Sequence, residues 1–221
     1  MTTTTPKDSS NRLFMLAIVA IVVLGLLAVA FLAANRDGLG EIAEQQTDSV
    51  EISGDPIAPM PAELQVTDLT TDPAAGTVAP TLVGTDFLGN EVRIEADGRP
   101  KAIYFLAHWC PHCQEEVPVV QDLIDEGQLP EGLDVYGVST AVDGSRGNFP
   151  PQAWLDRADF SPVVLRDDEA GSAFQAYGGS SFPYVVYLDG ENRVIARSAG
   201  NLPGDSIVSL WESTVAAAPV E

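Results

Sequence analysis

The sequence predicts an α/β domain in which a mixed central sheet is flanked by helices. Three observations carry this. Short apolar runs of strand length alternate with helical patterns through the second half of the chain. The chain closes on a hairpin pattern followed by an amphipathic helix. Apolar residues make up 45% of the chain, enough to fill such a core over about 140 residues.

The elements follow in order from about Ala79. TLVGTDFLGNEVRI places two short apolar runs around a Leu-Gly-Asn turn and reads as an N-terminal β-hairpin. KAIYFLA, from Lys101 to Ala107, is aromatic and branched enough for a buried strand. In the next segment Val117, Val120, Leu123 and Ile124 recur at helical spacing up to Gly127. LDVYGVST is a second buried strand, PPQAWLDRADF a helix opened by prolines, and PVVLRDD a third strand. DEAGSAFQAYGG is a short helix closed by glycines. YVVYLDGENRVIARSAG is a hairpin turning at Asp189 to Asn192, and DSIVSLWESTVAAA a helix with Ile207, Leu210 and Trp211 on one face.

Ahead of this body stand three segments. Residues 1–12 are a polar N-terminus, and residues 13–34 run 22 residues without a charge. At 1.5 Å per residue that run reaches about 33 Å, enough for a hydrocarbon core of about 30 Å. It is longer than the apolar core of about 7–15 residues in a cleavable signal peptide, although the small residues Ala28, Ala30, Ala33 and Ala34 keep cleavage as the alternative. Lys7 and Arg12 precede the run, whereas the Arg36 that follows is diluted by Asp37, Glu41 and Glu44. The expectation is a single-pass membrane anchor with the N-terminus in the cytoplasm and the body outside it. Residues 35–78, acidic and interrupted by Pro56, Pro59, Pro61 and Pro73, read as a flexible linker, with Glu63 to Leu69 the part able to pack on the domain. The domain proper is then 79–221. A formal net charge of −21 argues against nucleic acid as a partner.

The chemistry concentrates in HWCPHC, which holds both cysteines and both histidines of the 221-residue chain. A strand precedes the pair and a helix follows it, so Cys110 belongs at a helix N-terminus, where unpaired N–H groups favour thiolate over thiol. Cys110 is therefore the expected nucleophile, and Cys113, one turn further in, the thiol that resolves a mixed disulfide. Pro111 suits the first helical position, having no N–H where none is needed. His112 is expected to stabilise the Cys110 sulfur anion and so tune the couple, each pKa unit corresponding to roughly 30 mV. A purely structural bridge would close too small a loop to remove much chain entropy. A soft-metal site would need His108, Cys110, His112 and Cys113 to converge, which one turn disfavours. Glu115 and Glu116 are expected to face solvent. With no Gly-rich phosphate loop, no organic cofactor is implied.

On these residues the chain resembles the thioredoxin-like superfamily, and most closely its membrane-anchored, extracytoplasmic TlpA/ResA-like thiol–disulfide oxidoreductases. The likeness covers residues 79–218 and rests on the strand before Trp109-Cys110, the Cys-x-x-Cys pair, Pro118, and Phe182-Pro183 before the strand YVVYLDG. It implies that Pro183 is cis and lies beside the redox pair. Trp109, Pro111, Phe182 and Pro183 then become the residues that contact substrate, with the peptide adding as a strand. The implied partners are extracytoplasmic proteins bearing thiols or disulfides, together with a membrane redox partner. Three departures stand out. Tyr104 occupies the position at which thioredoxins carry a buried Asp, Phe182 is bulkier than the residue usual before the proline, and the Pro-His dipeptide is similar to strongly oxidising DsbA-type proteins on a scaffold that resembles reductive, cytochrome-maturation members. The rival readings are a reductase dedicated to haem-attachment cysteines, a copper or zinc carrier, and a redox-inert binding module.

Overall fold

The computed structural model describes residues 15, 16, 18–26, 45–47 and 49–217, which fall in two compact units, 1–41 and 42–221. In the first unit the described residues are helical and exposed. No helix among the described residues is long and apolar enough to cross a membrane. The predicted span 13–34 extends beyond them on both sides. Residues 1–12, and 35–44 and 48 of the predicted linker, also lie outside the described residues.

The second unit is built on a six-stranded mixed sheet of order β2-β9-β8-β5-β6-β7. Its strands are β2 (Val66–Thr67), β5 (Lys101–Leu106), β6 (Asp134–Ser139), β7 (Val163–Arg166), β8 (Tyr184–Leu188) and β9 (Val194–Ala199). The sheet is parallel from β5 through β6 to β7 and antiparallel from β5 through β8 and β9 to β2. A second sheet of order β1-β3-β4 joins β1 (Glu51–Ser53) to the predicted hairpin of β3 (Thr81–Thr85) and β4 (Glu91–Ile94). The helices are α1 (Pro111–Asp125), α2 (Pro151–Arg157), α3 (Ser172–Ala176) and α4 (Gly204–Ala217).

β5 is buried along its whole length because both faces of the central sheet are covered. Ala102, Tyr104 and Leu106 pack with residues of α1, α2 and α4. Ile103 and Phe105 pack on the other side with Leu82, Ile94, Ala173 and Tyr177. Val50, Ile57, Met60 and Ala74 belong to that second cluster, and this corrects the predicted linker. From residue 49 the segment is a layer of the domain, and the domain boundary at 79 moves with it. β1 pairs with β3, and β2 pairs with β9. Met60 N–H donates to Gly178 O at 3.0 Å. Gly178 has φ +70°, and a Cβ there would stand 2.5 Å from Ala58 O, so only glycine admits this approach.

One buried ion pair fastens the layer. Arg197 on β9 pairs with Asp72, and neither side chain is exposed. Arg197 also donates to Ala58 O at 2.7 Å and to Tyr184 Oη at 3.1 Å. Burial alone would raise the Asp72 carboxyl, but hydrogen bonds from Arg197, Thr67 and the Ala74 amide carry it below its ordinary value. The physical reason for the correction is therefore the sheet itself. Its second face is apolar and needs a cover, and the prolines of 56–73 permit extended chain as readily as free coil.

Candidate active site

β5 delivers the chain to the site and α1 carries it away. Cys110 is the N-cap of α1 in an extended conformation, φ −77° and ψ 121°, with Pro111 opening the first turn. The unpaired N–H groups of that turn therefore lie at the Cys110 sulfur end of the helix. The Cys110 residue is 6% exposed, and its Sγ–H donates to Phe182 O at 3.5 Å. Cys113 is wholly buried behind it, and both thiols are free. Burial pushes the Cys113 thiol up, and the neighbouring Cys110 and Glu116 add to the effect. Cys110 is thus the less enclosed of two buried thiols.

The Phe182–Pro183 peptide is cis, and a second cis bond precedes Pro150. Pro183 O accepts from Gly200 N–H at 2.8 Å, which ties the proline loop to the end of β9. Aromatic rings extend the wall around Cys110. Phe174 stacks on Phe182 with centroids 4.6 Å apart, and Trp109 meets Phe182 edge-on at 5.9 Å. Trp109 and Phe182 are half-buried, Pro183 is buried and Pro111 is exposed. The bulk of Phe182 thus packs between Trp109 and Phe174 beside the pair.

Two expectations change here. His112 points to solvent with its Nδ1 3.4 Å from Glu115 Oε2, because the residue after Pro111 sits on the outer side of the first turn. Glu115 does face solvent, accepting from Asn201 Nδ2 at 3.0 Å. Glu116 does not. It is 2% exposed, its Oε2 accepts from Leu202 N–H at 3.1 Å, and burial pushes its carboxyl up to about 8. Among the described residues it has no ion pair. The spacing carried the signal: Cys113, Glu116, Val117 and Val120 form an i, i+3, i+4, i+7 stripe, all buried. A buried carboxylate is thus present after all, one turn beyond Cys113. Tyr104, in the place of the thioredoxin Asp, donates nothing to the pair; its hydroxyl accepts from Trp211 Nε1 at 3.0 Å, and burial raises its pKa.

The metal-ligand set does not converge. His108 is buried and commits Nδ1 to Gly147 O at 2.9 Å and Nε2 to Asp143 N–H at 3.1 Å. No group of three or more His, Cys, Asp or Glu residues among those described could hold a metal ion.

The sequence profile of the AhpC/TSA family matches residues 75–197. The methylamine utilization protein MauD of Paracoccus denitrificans is 32% identical over 133 residues, 58% of this chain and 60% of MauD. The chain thus spans less than two thirds of that relative's length. The thiol–disulfide oxidoreductase ResA of Geobacillus thermodenitrificans is 28% identical over 142 residues, 63% of this chain and 78% of ResA. Among solved structures, a secreted thiol–disulfide isomerase of Corynebacterium glutamicum superposes with a TM-score of 0.57 at 16% identity, covering 73% of this chain and 99% of that one. At that identity the likeness shows the thioredoxin-like fold alone.

Proposed function

This chain belongs to the AhpC/TSA family, and on that premise we propose that it is a thiol–disulfide oxidoreductase acting on extracytoplasmic proteins. The observation that carries the reading is one arrangement. A thiol at a helix N-terminus faces the carbonyl before a cis proline, with a second thiol and an isolated carboxyl enclosed behind it.

In the reducing direction the Cys110 thiolate attacks one sulfur of a client disulfide. A Cys110–client disulfide forms, the client's own bond breaks, and the departing sulfur takes up a proton. Glu116, ionised, accepts the Cys113 proton, and the Cys113 thiolate then attacks Cys110. The Cys110–Cys113 bond forms and the client leaves as its second thiol, so two electrons and two protons have passed to it. In the oxidising direction each step reverses, and Glu116, protonated below about 8, returns the proton to Cys113. The client main chain lies along Phe182-Pro183, as in strand addition. Trp109 and Phe182 supply its apolar wall, and His112 tunes the couple.

The decisive experiment measures exchange with a disulfide peptide in both directions. Wild type catalyses it, and Cys110→Ser reduces it to the uncatalysed rate. Persistence of exchange in Cys110→Ser sinks the proposal, and so does a wild-type protein that is inert but binds copper(I) stoichiometrically. A dedicated reductase for haem-attachment cysteines is the second reading, favoured by the likeness to ResA; equilibration with glutathione separates it from an oxidase.

Membrane attachment is part of the same proposal. The uncharged run 13–34 supports it, with Met15, Leu16 and residues 18–26 helical. Labelling of Cys110 in intact cells by a membrane-impermeant thiol reagent tests the extracytoplasmic placement. Protection until the cells are lysed would refute it.

A further inference from the structure

The loop from Thr140 to Pro150, between β6 and α2, flanks Trp109 and carries a cation that the exchange chemistry leaves unused. Arg146 is exposed, and its guanidinium carbon stands 3.9 Å from the centroid of the Trp109 ring. A planar cation over an indole face is held by the ring quadrupole while its N–H groups remain open at the rim.

The loop is tied down on both sides of this residue. Trp109 Nε1–H donates to Ala141 O at 2.7 Å. Buried His108 joins Asp143 to Gly147 through its two ring nitrogens. The Asp143 carboxylate, the acidic group nearest in sequence, accepts from Ser145 N–H at 2.9 Å and Ser145 Oγ at 2.7 Å. It feels the charge of Arg146 at a distance without bonding to it. Arg93, Arg99, Lys101, Arg193 and Arg197 each spend their charge on a carboxylate. Arg146 has no ion pair among the described residues.

Its position gives that charge a use. Trp109 precedes Cys110 in the chain and meets Phe182 edge-on, and Phe182 O accepts from Cys110 Sγ. Trp109 therefore touches both the cation and the residue whose carbonyl faces the reacting sulfur. We propose that Arg146 is a specificity residue for the exchange reaction: its guanidinium, displayed on Trp109, pairs with a carboxylate one to three residues from the reacting cysteine of a client. In extended chain, at about 3.3 Å per residue, such a carboxylate lies within reach of a rim beside the sulfur. The inference rests on the exchange activity proposed above. The net charge of −21 repels acidic clients at long range, so a local attraction at the sulfur is the feature that admits them.

The test compares two cyclic disulfide peptides that differ only in Glu or Lys beside one cysteine. Each is reduced in a single turnover by the reduced full-length chain in nonionic detergent. The long-range field is nearly common to wild type and variants, so the change in the Glu:Lys rate ratio isolates the local contact. The ratio is expected to fall about three- to five-fold in Arg146→Gln, as for an exposed ion pair, to fall further in Arg146→Glu, and to stay near the wild-type value in Arg146→Lys. An unchanged ratio in Arg146→Gln and Arg146→Glu, with exchange intact, overturns the specificity role alone. A wild type that reduces neither peptide and matches Cys110→Ser overturns the exchange activity and this role with it.

Discussion

Asp72 and Glu116 are both carboxylates taken out of water, and they end in opposite states. Asp72 meets the Arg197 guanidinium and two further donors, Thr67 Oγ1 at 2.7 Å and Ala74 N–H at 2.8 Å, and its pKa lies below the ordinary value. Glu116 meets a single backbone amide, and its pKa rises to about 8. Burial penalises both charges equally in kind, and the neighbours decide the outcome. Where a cation answers, the charge is fixed and joins two distant segments of chain. Where only an amide answers, the group keeps a proton it can release near neutrality, which is what a resolving thiol needs. One carboxylate fastens the domain, and the other, on the function proposed above, serves the chemistry.

The strongest way to break this contrast is to remove the cation. Arg197→Met leaves Asp72 buried without its partner and is expected to cost about 3–5 kcal/mol in urea unfolding, with a double Asp72→Asn, Arg197→Met variant recovering part of it. A loss below about 1 kcal/mol would mean the pair clamps nothing. Glu116→Gln probes the other side. Its folded pKa, about 8, stands above the ordinary 4.5, so its contribution to stability is complete below 4.5 and is lost as pH rises through about 8. Relative to wild type, Glu116→Gln should therefore gain stability between acid and alkaline pH, on the order of a few kcal/mol. The resolving step of wild type should show an inflection near 8 that the variant lacks; identical pH profiles would remove Glu116 from the proton path. Asp72 carries the reverse sign and a smaller effect. Its contribution is present above the ordinary 3.8 and is lost as pH falls through its lowered pKa. Acid unfolding should thus be shallower in Asp72→Asn than in wild type. The smallest shift belongs to His112. Because its ring faces Glu115, His112→Pro should move the couple toward reducing potential by less than about 30 mV against glutathione.

The elements with a strong period were readable in the sequence. β5 to α4, the β3–β4 hairpin and the strand–Cys-x-x-Cys–helix order all stand where the apolar patterns put them. The layer from residue 49 was not. β1 has three residues and β2 two, too short for alternation to register, and Asp72 finds its cation 125 residues away. Glu116 was hidden by its neighbour, since a Glu-Glu pair reads as solvated although only one of its members shares the face of Cys113. His112 illustrates the converse: proximity in sequence to Cys110 placed it on the outer side of the turn, against Glu115.

The two-sided cover of β5 has a practical consequence for anyone trimming this protein. A chain cut to begin at Ala79 would keep both cysteines and every element of the redox end, yet it would strip Val50, Ile57, Met60 and Ala74 from the apolar cluster on the reverse side of the sheet and leave Arg197 without Asp72. The oily surface so uncovered would drive aggregation. Soluble truncations should therefore retain everything from Val50 onward.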